Sequence, residues 1–156
     1  MTPLFKKLNF KNQERVFVLN SPSSFDTELT EMSKCTKIVK DINRVSNIQF
    51  VLSFVMTLEQ VDESAALIFP KLNGDAIIWF CYPKGTSKKY KCEFNRDSGW
   101  KTLGEYNLEA VRAVSVDQDW SALRFRRTEY IKTLARIEGH AISKEGKERT
   151  KKNGRN

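Results

Sequence analysis

The chain has 156 residues, with 27 Lys or Arg against 19 Asp or Glu, which gives a formal net charge of +8 at pH 7. A chain of this length most simply forms one domain. Folding at this size buries roughly 70% of the surface of the unfolded chain, so the core does not need disulfides or a metal ion to be stable. The three cysteines are odd in number and none form a C-x-x-C pair, which excludes a disulfide framework. No long apolar segment follows the first residues, so we expect no signal peptide, no membrane span and a cytoplasmic location.

The positive charge is concentrated in two segments. Residues 84–101 contain six basic and two acidic side chains, and residues 144–156 contain the same numbers. We therefore expect a single α/β domain over residues 1–142, with one basic loop, and a disordered basic tail over residues 143–156. Clusters of like charge often do no more than face solvent. The alternative to a binding role is therefore that these two segments are solvated and bind nothing in particular.

The first predicted strand is Arg15–Leu19. It ends at Asn20-Ser-Pro-Ser-Ser24, a cluster of turn-forming residues. Ser24 is suited to cap a helix because a hydroxyl oxygen accepts from free amides, and apolar residues recur after it at helical spacing. Residues 36–41 predict a weak second strand.

The middle of the chain predicts a strand–helix–strand unit. Residues 48–56 are almost unbroken apolar, which indicates a strand buried on both faces and therefore parallel to its neighbours. Thr57-Leu-Glu-Gln60 matches a capping box. The helix ends at Pro70, Asn73-Gly74 turns the chain, and residues 76–82 form the next strand. Such a crossover is right-handed in nearly all known proteins.

The last part predicts an irregular segment over residues 83–104, with helical turns near residues 96–100. Strands over residues 111–116 and Trp120–Arg127 follow, joined as a hairpin by residues 117–119. A terminal helix then covers residues 130–141. The fold class is a three-layer α/β domain, with a mostly parallel central sheet of about five or six strands and an antiparallel hairpin near its end.

Three phrases carry a family resemblance: Trp79-Phe-Cys-Tyr-Pro-Lys-Gly-Thr-Ser-Lys-Lys-Tyr90, Asn95-Arg-Asp-Ser-Gly-Trp100 and Val114-Ser-Val-Asp-Gln-Asp-Trp-Ser-Ala-Leu-Arg-Phe-Arg126. Through them the chain resembles a family of small bacterial proteins known only as a domain of unknown function, over about residues 8–127. The resemblance implies a family and no activity. The order of elements is also similar to the second half of Rossmann-like methyltransferases, but topology alone does not carry function.

Ligands of open parallel sheets bind beyond the carboxyl ends of the strands. Those ends would bring together residues 20–24, Thr57, residues 84–89 and residues 117–119. Hydroxyls, lysines and helix N-termini suit an anion such as a phosphate. The alternative is that Pro83-Lys-Gly85 only ends a strand, and no P-loop pattern is present.

The predicted ligand-binding residues lie at this edge and on the last strand: Ser23, Ser24, Lys84, Thr86, Lys88, Lys89, Trp120, Arg124 and Arg126. The last three share one strand face, where an indole and two guanidinium groups could stack as cation–π neighbours beside single-stranded nucleic acid. Ordinary packing is the alternative. The charge at the edge leads us to expect a non-enzymatic binding module for an anionic ligand, either a phosphorylated metabolite or a nucleic acid, without metal or cofactor.

The second function considered is a divergent or degenerate S-adenosylmethionine-dependent methyltransferase-like enzyme. Sites for such cofactors place glycines after the first strand, where the backbone approaches the ligand. This chain has no glycine there, and Pro22 lacks an amide donor. Asp41 does lie about twenty residues on, where an acidic partner of the ribose is expected. Cys92 lies among lysines that could lower the pKa of its thiol, and the only histidine, His140, has no G-x-S-x-G partner segment.

Overall fold

A computed structural model describes residues 1–131. Its strands are β1 (Arg15–Leu19), β2 (Lys37–Val39), β3 (Ile48–Phe54), β4 (Leu72–Pro83), β5 (Leu108–Ser115) and β6 (Trp120–Arg127). Its α-helices are α1 (Pro3–Lys7), α2 (Asp26–Met32), α3 (Leu58–Ile68) and α4 (Lys101–Glu105). The predicted terminal helix, the domain boundary at residue 142 and the basic tail lie outside the described residues.

The six strands form one sheet in the order β2-β1-β3-β4-β6-β5. β1, β2, β3 and β4 are parallel, whereas β6 runs antiparallel to both β4 and β5. Every residue of β3 except Gln49 is buried, because helices cover both faces of the sheet at its centre. The predicted mixed sheet, with a parallel centre and a closing antiparallel pair, is confirmed.

Helices pack on both faces of the sheet, as predicted for a three-layer domain. We call the two sides the α2 face, where Phe5, Phe25 and Met32 pack against β3 and β4, and the α3 face, where Val61 and Leu103 pack. On the α2 face the indole nitrogen of Trp79 donates to the carbonyl oxygen of Leu8 at 2.9 Å. This bond satisfies a buried donor and fixes the amino-terminal segment to the sheet.

The capping box that begins α3 is confirmed. The Thr57 hydroxyl accepts from the amide of Gln60 at 3.1 Å, and the Gln60 side-chain oxygen accepts from the amides of Met56 and Thr57 at 2.6 and 3.3 Å. These bonds hold the chain where it leaves β3. The candidate edge of the sheet therefore has one rigid corner. None of the helices among residues 1–131 has the length and apolarity to cross a membrane.

Several predicted boundaries are wrong. Asn73 and Gly74 lie inside β4 rather than in a turn, because the positive φ of Gly74 (+55°) allows an irregular pairing with β3. β5 begins at Leu108 instead of residue 111, since Asn107 turns the chain in the left-handed region (φ +57°). The short helix that follows the irregular segment begins at Lys101, just after the predicted residues 96–100.

The predicted cap of α2 is also wrong. Ser24 lies within a three-residue 3-10 turn, Ser23–Phe25, and Phe25 takes the N-cap position without a side-chain hydrogen bond. The backbone makes the turn by itself, with the amide of Phe25 donating to the carbonyl of Pro22 at 2.9 Å. The hydroxyl of Ser24 is therefore not used by the helix.

Candidate functional site

The strand order marks one place at the carboxyl edge of the sheet where a ligand is expected. β2 lies on one side of β1 and β3 on the other, so the chain direction across the sheet reverses there. Ligands of open α/β sheets bind at such a reversal, beyond the carboxyl ends of the strands. Residues 20–24 follow β1 and residues 55–57 follow β3 at this edge, which we take as the candidate site.

The loop after β1 makes its turn with Asn20, whose φ is +59°. Asparagine tolerates this left-handed conformation better than other side-chain-bearing residues, so it replaces the glycine usual at such a turn. Pro22 follows with φ −72° and no amide hydrogen. Ser23 and Ser24 are exposed at this edge, as predicted. The loop thus presents side chains rather than a row of amides.

Backbone amides at the start of α3 donate hydrogen bonds to side chains of the protein itself. Glu93 lies in the irregular segment between β4 and α4, and its carboxylate accepts from the amide of Leu58 at 2.9 Å. The capping box satisfies the amide of Gln60 from the other side. An anion predicted at Thr57 would find a carboxylate in its place, so this part of the predicted edge is wrong.

The loop after β4 is tied to the turn between β5 and β6, as predicted. The Lys84 amide donates to the Asp119 carbonyl at 2.8 Å, and its ammonium group donates to the Ser115 hydroxyl at 2.6 Å. Ser87 donates to the Asp119 carboxylate at 2.8 Å and accepts from the amide of Tyr90 at 3.1 Å. The loop is therefore held in one place at the carboxyl edge.

Three of the predicted ligand residues on this loop point to solvent. Thr86, Lys88 and Lys89 are exposed, and the Lys89 ammonium lies 5.4 Å from the centre of the Tyr90 ring. No ion pair joins Lys88 or Lys89 to another of residues 1–131. The loop therefore carries two free cations next to an aromatic ring.

Asp117 has a structural role in the β5–β6 turn. Its carboxylate accepts from the amides of Asp119 and Trp120, both at 2.8 Å. Asp119 accepts from Ser87, so the two acids serve the turn and the loop. This use matches the turn interpretation of residues 117–119.

Trp120 lies beneath the edge on the α2 face and is 3% exposed. Its ring packs 5.2 Å from Phe54 and 5.0 Å from Tyr90 between centroids. Its indole nitrogen has no hydrogen-bond partner in the described part of the chain. The predicted cation–π pairing of Trp120 with an arginine is wrong. Four residues of strand separate it from Arg124, a distance of about 13 Å.

The two predicted arginines lie away from the lysine loop. Arg124 stands opposite Trp79 in the middle of the sheet. Arg126 is nearer the amino edge and pairs with Asp75 through two bonds of 2.9 and 2.6 Å. The structure therefore divides the predicted ligand residues between two places.

The thiols do not form a reactive centre. Burial raises the pKa of Cys92, a hydrogen bond from the Phe94 backbone lowers it, and the charge of Glu93 raises it again. Burial also raises the pKa of Cys81. The expected lowering at Cys92 is wrong because the nearby lysines extend into solvent. Among residues 1–131, no three His, Cys, Asp or Glu side chains are grouped in a way that could hold a metal ion.

Asp41 follows β2 at the same carboxyl edge. The pairing of Phe17 with Val39 places it beside the end of β1. Its carboxylate accepts from the Asn43 amide at 2.9 Å and lies 3.8 Å from the Arg44 guanidinium, and it remains exposed. It borders a cleft of about 400 Å³ lined by Arg15, Lys37, Ile38, Val39, Lys40, Asp41 and Arg44. The sequence pattern did not single out this cleft, because β2 is short and its basic residues are scattered.

No protein-family model and no curated protein sequence matches the chain. The family resemblance to bacterial proteins therefore stays a prediction. Solved structures do match. LepI in complex with SAM has a TM-score of 0.53 at 11% identity, with 81% of this chain and 47% of LepI covered. LepI in complex with SAH and a substrate analogue has a TM-score of 0.54 at 10% identity, with the same coverage.

The chain thus spans about half the length of LepI. The N-methyltransferase NodS from Bradyrhizobium japonicum also matches, with a TM-score of 0.47 at 15% identity over 80% of this chain and 92% of NodS. At such low identity the likeness shows the fold, which is Rossmann-like. The main expectation of a non-enzymatic binding module is corrected by the two LepI matches, since this fold occurs there in structures that contain SAM or SAH.

Proposed function

We propose that the chain is a divergent S-adenosylmethionine-dependent methyltransferase-like enzyme, with its cofactor site at the carboxyl edge beside β1. The observation that supports the proposal is the sheet order β2-β1-β3-β4-β6-β5, which reverses at β1 and closes with an antiparallel pair. The solved structure of LepI in complex with SAM matches 81% of this chain with a TM-score of 0.53, which supports a likeness of fold. Ligands bind at such a reversal whatever the chemistry.

The residues at the edge fit this cofactor if side chains hold it. Asp41 is an exposed acceptor for ribose hydroxyls, and its 3.8 Å contact with Arg44 is a surface pair that a ligand can displace at little cost. Asn20 turns the chain where a glycine would otherwise be needed, and its amide can donate and accept. Pro22 removes one backbone donor, so Ser21 and Ser23 hydroxyls take that role.

S-adenosylmethionine supplies an electrophilic methyl group when bound. Beneath the neighbouring part of the edge, the buried rings of Phe54 and Trp120 pack with the half-buried ring of Tyr90. This apolar layer keeps water from the underside of a methyl acceptor bound there. The indole N–H of Trp120 is an unused donor there. Lys88 and Lys89 raise the local concentration of anions. The acceptor in this proposal is therefore anionic, either a phosphorylated metabolite or a nucleic acid.

Calorimetric titration of the full chain with S-adenosylmethionine and S-adenosylhomocysteine tests the proposal. We expect both to bind, and Asp41→Asn to weaken binding roughly tenfold, because a hydrogen bond to a charged group contributes about 1.5–3 kcal/mol. Asp97→Asn is the matched control, since Asp97 is also exposed and also lies 3.8 Å from an arginine. A flat titration on protein with a native near-UV spectrum would reject the proposal.

A further inference from the structure

Two arginines face each other across the antiparallel pair that closes the sheet. Arg112 of β5 is the direct partner of Arg124 of β6. Side chains in such positions share a sheet face, with Cβ atoms about 5 Å apart, and like charges there are destabilising. Within the described residues 1–131, neither arginine has an ion pair or a side-chain hydrogen bond. The fold therefore keeps a repulsive pair that it does not need for its own contacts.

An irregularity in β5 creates this pair. Ala110 stands opposite Phe125 and Arg112 opposite Arg124, so Val111 is the extra residue of a bulge. The bulge leaves Val111 40% exposed and brings Arg112 beside Arg124. In a regular strand the apolar Val111 would face Arg124. Bulges that re-aim a side chain occur next to functional sites more often than elsewhere.

Arg124 is incompletely compensated. Its side chain is half-buried, and its Nε atom is enclosed with no hydrogen-bond partner among residues 1–131. Burial lowers the pKa of this guanidinium most, the charges of Arg126 and Arg112 lower it further, and Asp75 raises it. A guanidinium stays protonated in proteins, so the folded chain holds a cation with an unused donor.

The nearby acids are directed elsewhere. Asp75 forms a two-bond pair with Arg126. Glu109 is fully buried and stands opposite Arg126, further along the strands from Arg124. The other partner of Arg124 across the sheet is Trp79, whose indole N–H already donates to Leu8. Among residues 1–131, no carboxylate forms an ion pair with Arg112 or Arg124.

We propose that Arg112 and Arg124 form a binding site for a phosphate group on the α2 face of the sheet, separate from the carboxyl edge. A phosphate has enough oxygens to accept from both guanidinium forks, including the Nε–H of Arg124, whereas a carboxylate is satisfied by one fork. The anion also cancels the repulsion between the two side chains. Because about 13 Å of strand separates Arg124 from Trp120, the site does not depend on cofactor binding.

The phosphate can belong to a small phosphorylated molecule or to the backbone of a nucleic acid. Full-length protein is titrated with inorganic phosphate and, separately, with a single-stranded oligonucleotide, against chloride at equal ionic strength. The readouts are the thermal unfolding midpoint and the Nε–H resonance of Arg124 in ¹H–¹⁵N spectra. We expect at least one probe to raise the midpoint and shift that resonance.

Variants identify the site. Arg124→Met and Arg112→Gln should each weaken binding of the active probe about tenfold or more, as expected for lost charge-assisted hydrogen bonds. Arg112 is exposed, so its variant leaves the fold intact. Arg96→Gln is the matched control, because Arg96 is an exposed arginine on the loop before α4 and has only a 3.8 Å contact with Asp97. It should bind like the native chain.

A structural role for Arg124 predicts a different result. Without phosphate, Arg124→Met should unfold at the same temperature as the native chain or higher, because repulsion and an unpaired donor are removed. Equal destabilisation with and without the probe, or no response to either probe, would overturn the proposal. Response to inorganic phosphate supports the site with a small phosphorylated ligand, and an Arg124-dependent response to the oligonucleotide alone supports it with a nucleic-acid backbone.

Discussion

The loops after β1 and β3 lie next to each other at the same edge and begin their helices in opposite ways. At α3 the amide donors are met by Thr57, Gln60 and Glu93. At α2 the chain passes through Pro22 and a 3-10 turn, and no side chain caps the helix. The side chains of the loop after β3 thus stabilise the helix that follows it. The hydroxyl groups of the loop after β1 make no such contact with their helix.

The difference shows where a ligand can enter. A helix start whose first amide donates to the chain's own carboxylate is less available to an external anion, because that carboxylate also repels it. The loop after β1 keeps Asn20, Ser23 and Ser24 exposed beside Asp41. At the candidate edge, polar side chains after β1 are therefore exposed, whereas amides after β3 are already hydrogen-bonded to Thr57 and Glu93.

The largest expected effect comes from breaking the segment that closes α3. Gly99 has φ +91°, and a Cβ there would lie 2.5 Å from the Cβ of Phe94, next to Glu93. Gly99→Ala should lower the free energy of unfolding by about 3 kcal/mol through backbone strain and overpacking. Urea unfolding measures this. Gly85→Ala, at a site with nothing within 4 Å, is the control and should be nearly neutral.

Removing the capping box should have the next largest effect. The double variant Thr57→Ala/Gln60→Ala leaves three amides at the start of α3 without partners and should cost about 2 kcal/mol. Ser24→Ala at the start of α2 should change stability by less than about 0.5 kcal/mol, because its hydroxyl caps nothing. If the variants at the starts of α3 and α2 lose similar free energies of unfolding, the proposed difference between the two loops is wrong.

The turn after β1 gives a smaller effect that depends on the residue introduced. Asn20→Ala should lose about 1 kcal/mol, since alanine is disfavoured at φ +59°, and Asn20→Gly should be nearly neutral. Chemical unfolding separates the two variants. If Asn20→Gly retains full affinity for S-adenosylmethionine, the turn is needed for its backbone shape; if it loses affinity, the side-chain amide contacts the cofactor.

The smallest expected effect is at Glu93. Glu93→Gln keeps an oxygen near the amide of Leu58 but removes the charge at the helix start, and it should cost about 0.5 kcal/mol at low salt. The loss should shrink in high salt, because exposed charges are screened. A thermal unfolding series at two ionic strengths measures it, and a loss that is independent of salt would contradict a charge effect.

Local signals in the sequence were sufficient for the centre of the fold. The unbroken apolar residues 48–56 predict a buried strand, and Thr57–Gln60 predicts a capping box. Each feature depends only on residues that are close in sequence, and both predictions are confirmed. The parallel order of β3 and β4 follows from the helix between them. The class of the sheet and its central elements therefore follow from the sequence, whereas several element boundaries do not.

The features that sequence reasoning missed depend on contacts between distant residues. Glu93 reaches Leu58 across 35 positions, and nothing in the local pattern marks it as a cap. The pairing of Arg112 with Arg124 depends on a one-residue bulge in β5. The alternation of apolar and polar residues along β5 does not predict where such a bulge changes the register of the strand. Ser24 was a sound cap by residue type, but Pro22 set the turn before it.

The short strand β2 has a consequence for how the protein behaves at high concentration. It is the outermost strand on its side of the sheet, and its cleft is bordered by four basic side chains and one acid. Lysines on such a margin repel a second copy and prevent strand-by-strand aggregation. At about 1 M salt the screening length falls to about 3 Å, so the repulsion between the β2 edges of two copies is lost. Concentrated protein should therefore aggregate less in buffer of low ionic strength.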